Sequence, residues 1–129
     1  MQNDTLASAL AAINNAEKIG RMTCTIRPVS RIIKTVLKIM QEKHYIGSWE
    51  EKADARGGSL VVHLLGKINI CAAIKPRFPI TMKEYEKFEK RFLPARDFGI
   101  IIVSTSQGMM SHADAKTKRL GGKMVSYCY

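Results

Sequence analysis

The side chains of this sequence best suited to nucleophilic or metal chemistry are three cysteines and three histidines, Cys24, Cys71, Cys128, His44, His63 and His112. Zinc sites and redox centres usually bring their cysteines in C-x-x-C pairs, and the sequence contains no such pair. The histidines have no i,i+4 partner, and no G-x-S-x-G motif or cysteine–histidine signature accompanies them. We therefore expect no metal, no cofactor and no catalytic residue, while a triad assembled in space stays open as the alternative.

A glycine–lysine pair near the end of the chain invites comparison with the phosphate-binding Walker loop. That loop has the pattern G-x-x-x-x-G-K-[ST] and follows a strand. Here Gly122 and Lys123 match, but Thr117 stands at the first glycine and Met124 at the final hydroxyl. The segment also follows a predicted helix instead of a strand. The pattern therefore does not indicate a nucleotide-binding loop.

A cluster of hydroxyl side chains follows a β-branched apolar run at 100–103 that is typical of a buried strand. After the cluster, Ser111 and Asp114 form the capping pattern of a short helix. Backbone N–H groups between strand and helix can lack a partner, and short side chains let another molecule approach them. Because the loop contains no acid, histidine or cysteine, its pattern indicates binding of another molecule and not catalysis. The alternative is a turn that is closed by its own hydroxyls. The loop consists of Ser104, Thr105, Ser106, Gln107 and Gly108.

The charge of the chain indicates the kind of partner. Its 129 residues include 21 Lys plus Arg against 11 Asp plus Glu, which gives a net charge of +10. A small domain this basic most often binds a polyanion, and nucleic acid is the commonest one. No predicted helix combines a basic face with exposed Trp, Phe and Leu, and no apolar run approaches the roughly 20 residues of a membrane span. We therefore expect nucleic acid and no membrane.

Hydrophobic periodicity predicts an N-terminal lobe of the order α-β-α-β-β. Its first helix places apolar residues on one stripe, and its second helix begins at the cap Ser30. The strand between them is an edge strand or the end of a strand, because Pro28 interrupts it. The predicted elements are a helix ending near residue 18, a strand at 24–29, a helix at 30–44 and hairpin strands at 45–55 and 60–65.

The second half predicts a mixed β/α lobe. A strand at 68–74 leads to a capping box of Thr81 and Glu84 that opens a helix ending near Phe92. The hydroxyl cluster and a short helix follow, Gly121 and Gly122 end that helix, and a closing strand covers 124–129. The whole chain is thus predicted as an α/β protein of the α+β type. Its two small lobes, residues 1–66 and 67–129, pack as one compact unit.

The second predicted helix carries a basic stripe of Arg31, Lys34 and Lys38 at helical spacing. Arg27 immediately precedes it, and Lys18 lies at the end of the first helix. A single basic stripe is usually a solvated face. Because these cations are grouped, a surface that contacts phosphates is the better interpretation.

The cysteines also bear on the compartment. Their number is odd, and all three fall within predicted strands, where a free cysteine behaves as a small hydrophobe. This usage favours a reducing, intracellular environment. The sequence starts Met-Gln-Asn-Asp without a basic region, so a signal peptide is not expected.

Short motifs spread through the chain carry a resemblance to a known family. They are INNAEK at 13–18, IRPVS at 26–30, YIG at 45–47, PRF at 76–78, LPARDFG at 93–99, VSTSQG at 103–108 and GGK at 121–123. With them the chain resembles the universal small-subunit ribosomal protein family numbered eight, in its cytosolic eukaryotic form. The resemblance implies a primary rRNA-binding protein that contacts the central domain of small-subunit rRNA and supports assembly and translation. It also implies neighbouring small-subunit proteins as partners, no small-molecule substrate, a cytoplasmic location in the small subunit and, in a eukaryote, assembly in the nucleolus.

The resemblance also implies which residues contact RNA. The hydroxyl cluster 104–108 would touch RNA backbone and bases, with Gly121 and Gly122 nearby. Bacterial relatives carry a glutamate after the double glycine, whereas this chain has Lys123, which would meet a phosphate. The N-terminal lobe would add Asn14, Asn15, Lys18, Arg27, Ser30, Arg31 and Lys34.

Two other functions remain open at the level of sequence. A small RNA-processing enzyme would use a cysteine or histidine as its catalyst. A translational regulator acting off the ribosome would use the same RNA surface as the ribosomal protein.

Overall fold

The structure, a computed structural model, describes residues 5–27, 29–52, 58–75, 77–94 and 98–129. Four helices and eight strands lie within these described residues. The helices are α1 (Thr5–Lys18), α2 (Arg31–Glu42), α3 (Tyr85–Phe92) and α4 (His112–Thr117). The strands are β1 (Thr23–Ile26), β2 (Ile46–Lys52), β3 (Ser59–Leu64), β4 (Cys71–Ala73), β5 (Pro79–Ile80), β6 (Ile100–Thr105), β7 (Gly108–Ser111) and β8 (Gly122–Cys128).

The chain divides into two compact units, Met1–Cys71 and Ala72–Tyr129. The boundary predicted between residues 66 and 67 lies five residues before this division. Helices accompany an antiparallel sheet in both parts, so the predicted α+β class is confirmed.

The first unit contains a three-stranded sheet of order β1-β3-β2. Strand β3 pairs antiparallel with both neighbours, which confirms the predicted hairpin and the predicted edge position of β1. Pro28 and residues 53–57, which include the first two residues of the turn predicted at 56–59, lie outside the described residues, and Ser59 is already the first residue of β3. Helix α1 buries the apolar stripe that its periodicity predicted, namely Leu6, Ala9, Leu10, Ile13 and Ala16.

Helix α2 begins as its sequence predicts. The Ser30 hydroxyl accepts a hydrogen bond from the Ile33 amide at 3.3 Å, which satisfies one of the free N–H groups of the first turn. Its buried face contains Ile33, Val36, Leu37 and Met40, as predicted, together with Ile39.

Strand β4 is shorter than the strand predicted at 68–74, and a side chain accepts a hydrogen bond from its first amide. The Cys71 N–H donates to Asn14 Oδ1 at 3.3 Å, and the Cys71 thiol donates to the Leu10 carbonyl, also at 3.3 Å. Both acceptors lie on α1. The start of β4 is therefore anchored to a helix, and only Cys71–Ala73 has strand pairing.

A second sheet has the order β4-β8-β6-β7, with β5 pairing to β8 as well. Helix α3 covers one of its faces with the buried rings of Tyr85 and Phe88. The Tyr85 hydroxyl donates to the Leu120 carbonyl at 2.6 Å, and burial raises the pKa of this phenol. Ala115 of α4 lies in the same core, together with Ile101, Val103 and Met124 of the central strands.

The predicted capping box at Thr81 and Glu84 forms in part. Glu84 Oε1 accepts from the Thr81 amide at 3.2 Å and from the Thr81 hydroxyl at 2.9 Å. The Thr81 hydroxyl is used in this bond and does not cap the helix. The segment makes a turn first, and α3 begins at Tyr85 with Glu84 at its N-cap.

The double glycine does not end α4, contrary to the sequence prediction. Helix α4 starts at the predicted cap, where Ser111 Oγ accepts from the Asp114 amide at 3.3 Å, and it ends at Thr117. The chain then turns through Arg119, whose φ is +56°. Gly122 is already the first residue of β8 and pairs with Thr105 on one side and Ile80 on the other.

Close approach of backbones is the reason for glycine at these positions. A Cβ at Gly121 would lie 2.7 Å from the Ile80 carbonyl oxygen, and a Cβ at Gly122 would overlap the Ser104 carbonyl oxygen. Only residues without side chains let β8 enter between β5 and β6 here.

We predict that Gly122→Ala lowers the free energy of unfolding by about 3 kcal/mol, because the methyl group forces β8 away from β6. Gly47→Ala is the matched control, since its added Cβ would lie no closer than 3.2 Å to its nearest neighbour. It should cost less than about 1 kcal/mol. Urea unfolding of both variants measures the difference, and equal losses would contradict this account.

The buried Cys71 thiol predicts a pH dependence of stability. Burial raises the pKa of Cys71 to about 12, with further contributions from Glu17 and Cys24. From pH 9 upward the unfolded chain loses this proton while the folded chain keeps it, so stability falls with rising pH by roughly 1 kcal/mol per pH unit. The stability difference between the natural chain and Cys71→Ala should shrink between urea titrations at pH 8 and pH 10.5. A constant difference would contradict the prediction.

Candidate nucleic-acid interface

The hydroxyl cluster forms the end of a β-hairpin. Strands β6 and β7 pair with Ser104 opposite Met109 and Thr105 opposite Gly108. Ser106 and Gln107 are therefore the two turn residues, and both are exposed. The sequence predicted an open loop that runs from a strand to a helix N-terminus. Instead, strand β7 lies between the cluster and α4.

Thr105 stabilises this turn. Its hydroxyl donates to the Gly108 carbonyl at 2.7 Å and accepts from the Gln107 amide at 3.2 Å. This is the self-closing turn that the sequence left open as an alternative, and it uses one hydroxyl of the three. Ser104 and Ser106 remain exposed. The hairpin thus presents two hydroxyls and the Gln107 amide on a turn whose backbone is held in place.

The sheet brings the glycine–lysine segment beside the hairpin. Ser104 pairs with Lys123 and Thr105 pairs with Gly122 across β6 and β8. Directly opposed residues project their side chains from the same face, so the side chains of Lys123 and Ser104 leave neighbouring positions on one face of the sheet. Lys123 is exposed. Residues 104–108 and 121–123, far apart in sequence, therefore form one surface with donors, acceptors and a positive charge.

The predicted RNA contacts on α1 differ in exposure and in their partners. Asn14 is half-buried and its Oδ1 accepts from the Cys71 amide, so part of this side chain serves the fold. Asn15 and Lys18 are exposed and lie three residues apart, which places them next to each other on the helix surface.

The candidates around α2 also differ among themselves. The Ser30 hydroxyl caps the helix, and Lys34 Nζ lies 2.6 Å from a Glu51 carboxylate oxygen on β2. That ion pair is about 40% exposed and neutralises part of the predicted basic stripe. Arg27 and Arg31 are exposed beside it. The three cations thus differ in exposure, and Glu51 neutralises part of the charge of Lys34.

Comparisons with known proteins agree with the residues that carried the resemblance. The profile of the family described as ribosomal protein S8 matches residues 4–129. The small ribosomal subunit protein uS8 of Archaeoglobus fulgidus is 51% identical over 129 residues, with 100% of both chains covered. The chain belongs to the ribosomal protein S8 family. This membership confirms the predicted family, and the archaeal relative is consistent with the archaeal and eukaryotic form.

Among the side chains first considered for catalysis, the cysteines are buried, whereas His44 and His63 are not. Cys24, Cys71 and Cys128 are free thiols and all are buried. His44 is exposed with φ at +65°, and His63 is half-buried on β3. Within the described ranges, no three metal-ligating side chains come together, and no helix is long and apolar enough to cross a membrane.

A buried polar cluster joins α3 to α4, and sequence analysis missed it. Glu89 is 4% exposed and His112 5% exposed. One Glu89 carboxylate oxygen lies 3.3 Å from His112 Nε2 and is also paired with the Lys116 ammonium. On the other side of the imidazole, Nδ1 accepts from the Ile101 amide at 3.0 Å. This acceptor role requires an unprotonated Nδ1, so the imidazole places its proton on Nε2, facing the carboxylate.

Hydrophobic periodicity could not indicate this cluster. Glu89 lies in a highly charged helix, and a glutamate in such a helix is expected to be exposed to solvent. The available signal was its position. Glu89 follows Tyr85 by four residues and Phe88 by one, so it borders the apolar face of α3. Through Glu89, His112 and Lys116, the cluster connects α3, α4 and β6. Strand β6 is the strand that ends in the hydroxyl hairpin.

We predict that Glu89→Ala lowers the free energy of unfolding by about 2 kcal/mol, because the buried imidazole and the Lys116 ammonium lose their shared acceptor. Glu86→Ala is the matched control on the exposed face of α3 and should cost less than about 1 kcal/mol. Urea unfolding at neutral pH compares the two variants. A loss for Glu89→Ala no larger than that for Glu86→Ala would show that the cluster does not stabilise the unit.

Proposed function

We propose that this chain is a structural component of the small ribosomal subunit and binds rRNA through the surface formed by residues 104–108 and 121–123. Membership of the ribosomal protein S8 family supports the ribosomal role. The observation that carries the choice of surface is the strand register that sets Ser104 opposite Lys123.

The chemistry of this surface matches RNA. Exposed hydroxyls and the Gln107 amide can both donate and accept, as can the 2′-hydroxyl and the base edges that RNA displays. Lys123 supplies a positive charge for a phosphate within the same small area. Because Thr105 already holds the turn, binding does not have to order the hairpin, and less free energy is lost on association.

The shape of the hairpin suggests how RNA is read. A two-residue turn projects only a few side chains. The end of the hairpin can therefore enter a groove of a folded RNA whose phosphates line the edges of that groove. Ser104 and Ser106 would hydrogen-bond to sugars or base edges, while Lys123 would set the register by contacting a phosphate. In this arrangement the hydroxyls determine specificity and the lysine contributes mainly to the salt-dependent part of the affinity.

The first unit would add a second set of contacts. Exposed Asn15, Lys18, Arg27 and Arg31 are the residues best placed for this role. Ser30, Lys34 and Asn14 would contribute less through their side chains, because these side chains are less exposed. These contacts would be chiefly with phosphates, since they involve long cationic side chains.

The RNA proposed is the central domain of small-subunit rRNA, around helix twenty-one, where this protein would support subunit assembly and translation. It would act in the cytoplasmic small subunit beside neighbouring ribosomal proteins. In a eukaryotic cell it would join the subunit during assembly in the nucleolus.

An RNA-processing enzyme does not fit the chemistry of the described residues. Catalysis by cysteine requires a thiolate, and burial raises the pKa of both Cys24 and Cys71. His112 is buried with Nδ1 engaged by a backbone amide and Nε2 facing Glu89. The family is a structural component of the ribosome, and no enzymatic role is proposed.

We predict that Ser106→Ala weakens binding to a central-domain rRNA fragment about fivefold to tenfold, because one hydrogen bond to RNA is lost. Ser48→Ala is the matched control, since Ser48 is an exposed serine on β2 outside the proposed surface. Filter binding or calorimetry at fixed salt, with random RNA as competitor, measures both. Equal affinities for Ser106→Ala and Ser48→Ala would remove Ser106 from the surface.

A further inference from the structure

Strand β1 has an edge that the described residues leave open. It lies at the end of the sheet order β1-β3-β2, so only β3 pairs with it. The register places Thr23 opposite His63 and Thr25 opposite Val61. The Leu64 amide donates to the Met22 carbonyl at 2.8 Å, so the hydrogen-bonded pairs include Met22 and every second residue after it.

This parity fixes the direction of the intervening backbone groups. Cys24 and Ile26 share the parity of Met22 and bond toward β3, whereas the N–H and C=O groups of Thr23 and Thr25 point away from the sheet. Both threonine side chains are exposed, in contrast to their buried neighbours. The edge thus offers two donors and two acceptors at the spacing of a β-ladder.

A cleft with polar and apolar lining residues runs beside the same edge. It has a volume of about 620 Å³ and is lined by the end of α1, the following connection and β1. Ile19 and Met22 lie on its border and are 67% and 81% exposed. Two large apolar side chains with this exposure, next to the outer edge of a strand, are typical of a surface that another chain covers.

The groups on this surface select a peptide over RNA. A strand edge alternates N–H donors with carbonyl acceptors, and the backbone of an extended peptide complements that alternation. An RNA backbone offers phosphate oxygens to the donors and 2′-hydroxyls to the acceptors, but it does not alternate donors and acceptors at the spacing of a β-ladder. The aliphatic side chains of Ile19 and Met22 likewise suit an apolar residue of a peptide.

The charge beside the cleft indicates which residue type the docking segment carries. Arg21 lines the cleft and is exposed. An acidic residue on the docking segment would complement this cation and direct the orientation of the segment.

We propose that the β1 edge docks an extended segment of a neighbouring ribosomal protein, which adds a fourth strand to this sheet. The segment places an aliphatic residue against Ile19 and Met22 and an acidic residue against Arg21. This assignment rests on the proposed location in the small subunit, but it uses none of the residues at 104–108 or 121–123.

Cross-linking within intact small subunits tests the proposal. Cells express a chain with a photoreactive amino acid at position 19 (Ile19→benzoylphenylalanine), small subunits are isolated and irradiated, and mass spectrometry identifies the attached peptide. The expected product is a peptide of another ribosomal protein that contains an aliphatic and an acidic residue. Attachment to RNA alone, attachment to a second copy of this chain, or no attachment would overturn the proposal.

Blocking the edge supplies the specific control. Thr25→Pro removes an outward N–H without removing a β1–β3 hydrogen bond, and Thr25→Ala keeps that N–H. Thr25→Pro should lower the cross-link yield about tenfold relative to Thr25→Ala. Equal yields would show that the backbone edge is not used. If Thr25→Pro does not fold, Arg21→Glu against Arg21→Lys decides instead, with the same reduction expected only for the glutamate.

RNA affinity separates this proposal from the proposed function. Free Thr25→Pro and Thr25→Ala should bind the central-domain rRNA fragment equally, because Thr25 is not among the RNA contacts. A chain that fails to bind the fragment would contradict the proposed function and would leave the cross-link result to decide the docking edge. A loss of RNA affinity in Thr25→Pro alone would assign the edge to RNA and overturn the proposal.

Discussion

The proposed RNA surface depends on the pairing of β6 with β8. This pairing makes neighbours of two segments about twenty residues apart, the hydroxyl hairpin and the glycine–lysine segment. It is possible only because Gly121 and Gly122 have no side chains where β8 passes the carbonyls of Ile80 and Ser104. A family motif that looks like a flexible helix stop is thus a steric requirement of the sheet. The same requirement places Lys123 opposite Ser104 in the sheet.

Polar groups and aromatic rings on the other face support these strands. Glu89 brings His112 and Lys116 to one carboxylate, and the His112 imidazole binds the Ile101 amide of β6. A ladder of rings runs from Phe88 through Phe92 and Tyr127 to Tyr129, with centroid separations of 5.5–6.4 Å. The Arg91 guanidinium lies over the rings of Phe78 and Phe92. Rigid support of this kind lets a short hairpin present its hydroxyls in one arrangement, which favours specific recognition.

Local patterns in the sequence were sufficient for most elements. The stripe of α1, the Ser30 cap of α2, the hairpin and the Ser111 cap of α4 were all predicted, because each depends on residues within one or two turns. Predictions failed where a side chain makes a hydrogen bond that the local pattern does not indicate. The Asn14 side chain takes the first amide of β4, and the Thr81 hydroxyl bonds to Glu84 instead of capping α3. The hydroxyl cluster lies in a hairpin because β7 pairs with β6. Strand β7 has only four residues, which is too few for its periodicity to indicate that pairing.

The sequence by itself determined the class of the protein, its positive charge, its family and the residue types of the candidate RNA surface. These properties follow from composition, from short motifs and from hydrogen bonds between close neighbours in the chain. Only the tertiary structure decided which candidates share a surface and which are committed to the fold, such as Thr105, Ser30 and Asn14. It also decided that Glu89 is buried and that, among the described strands, β1 pairs only with β3. The physical reason is that strand register and burial depend on contacts between segments far apart in sequence, and those contacts leave no periodic signal in either segment alone.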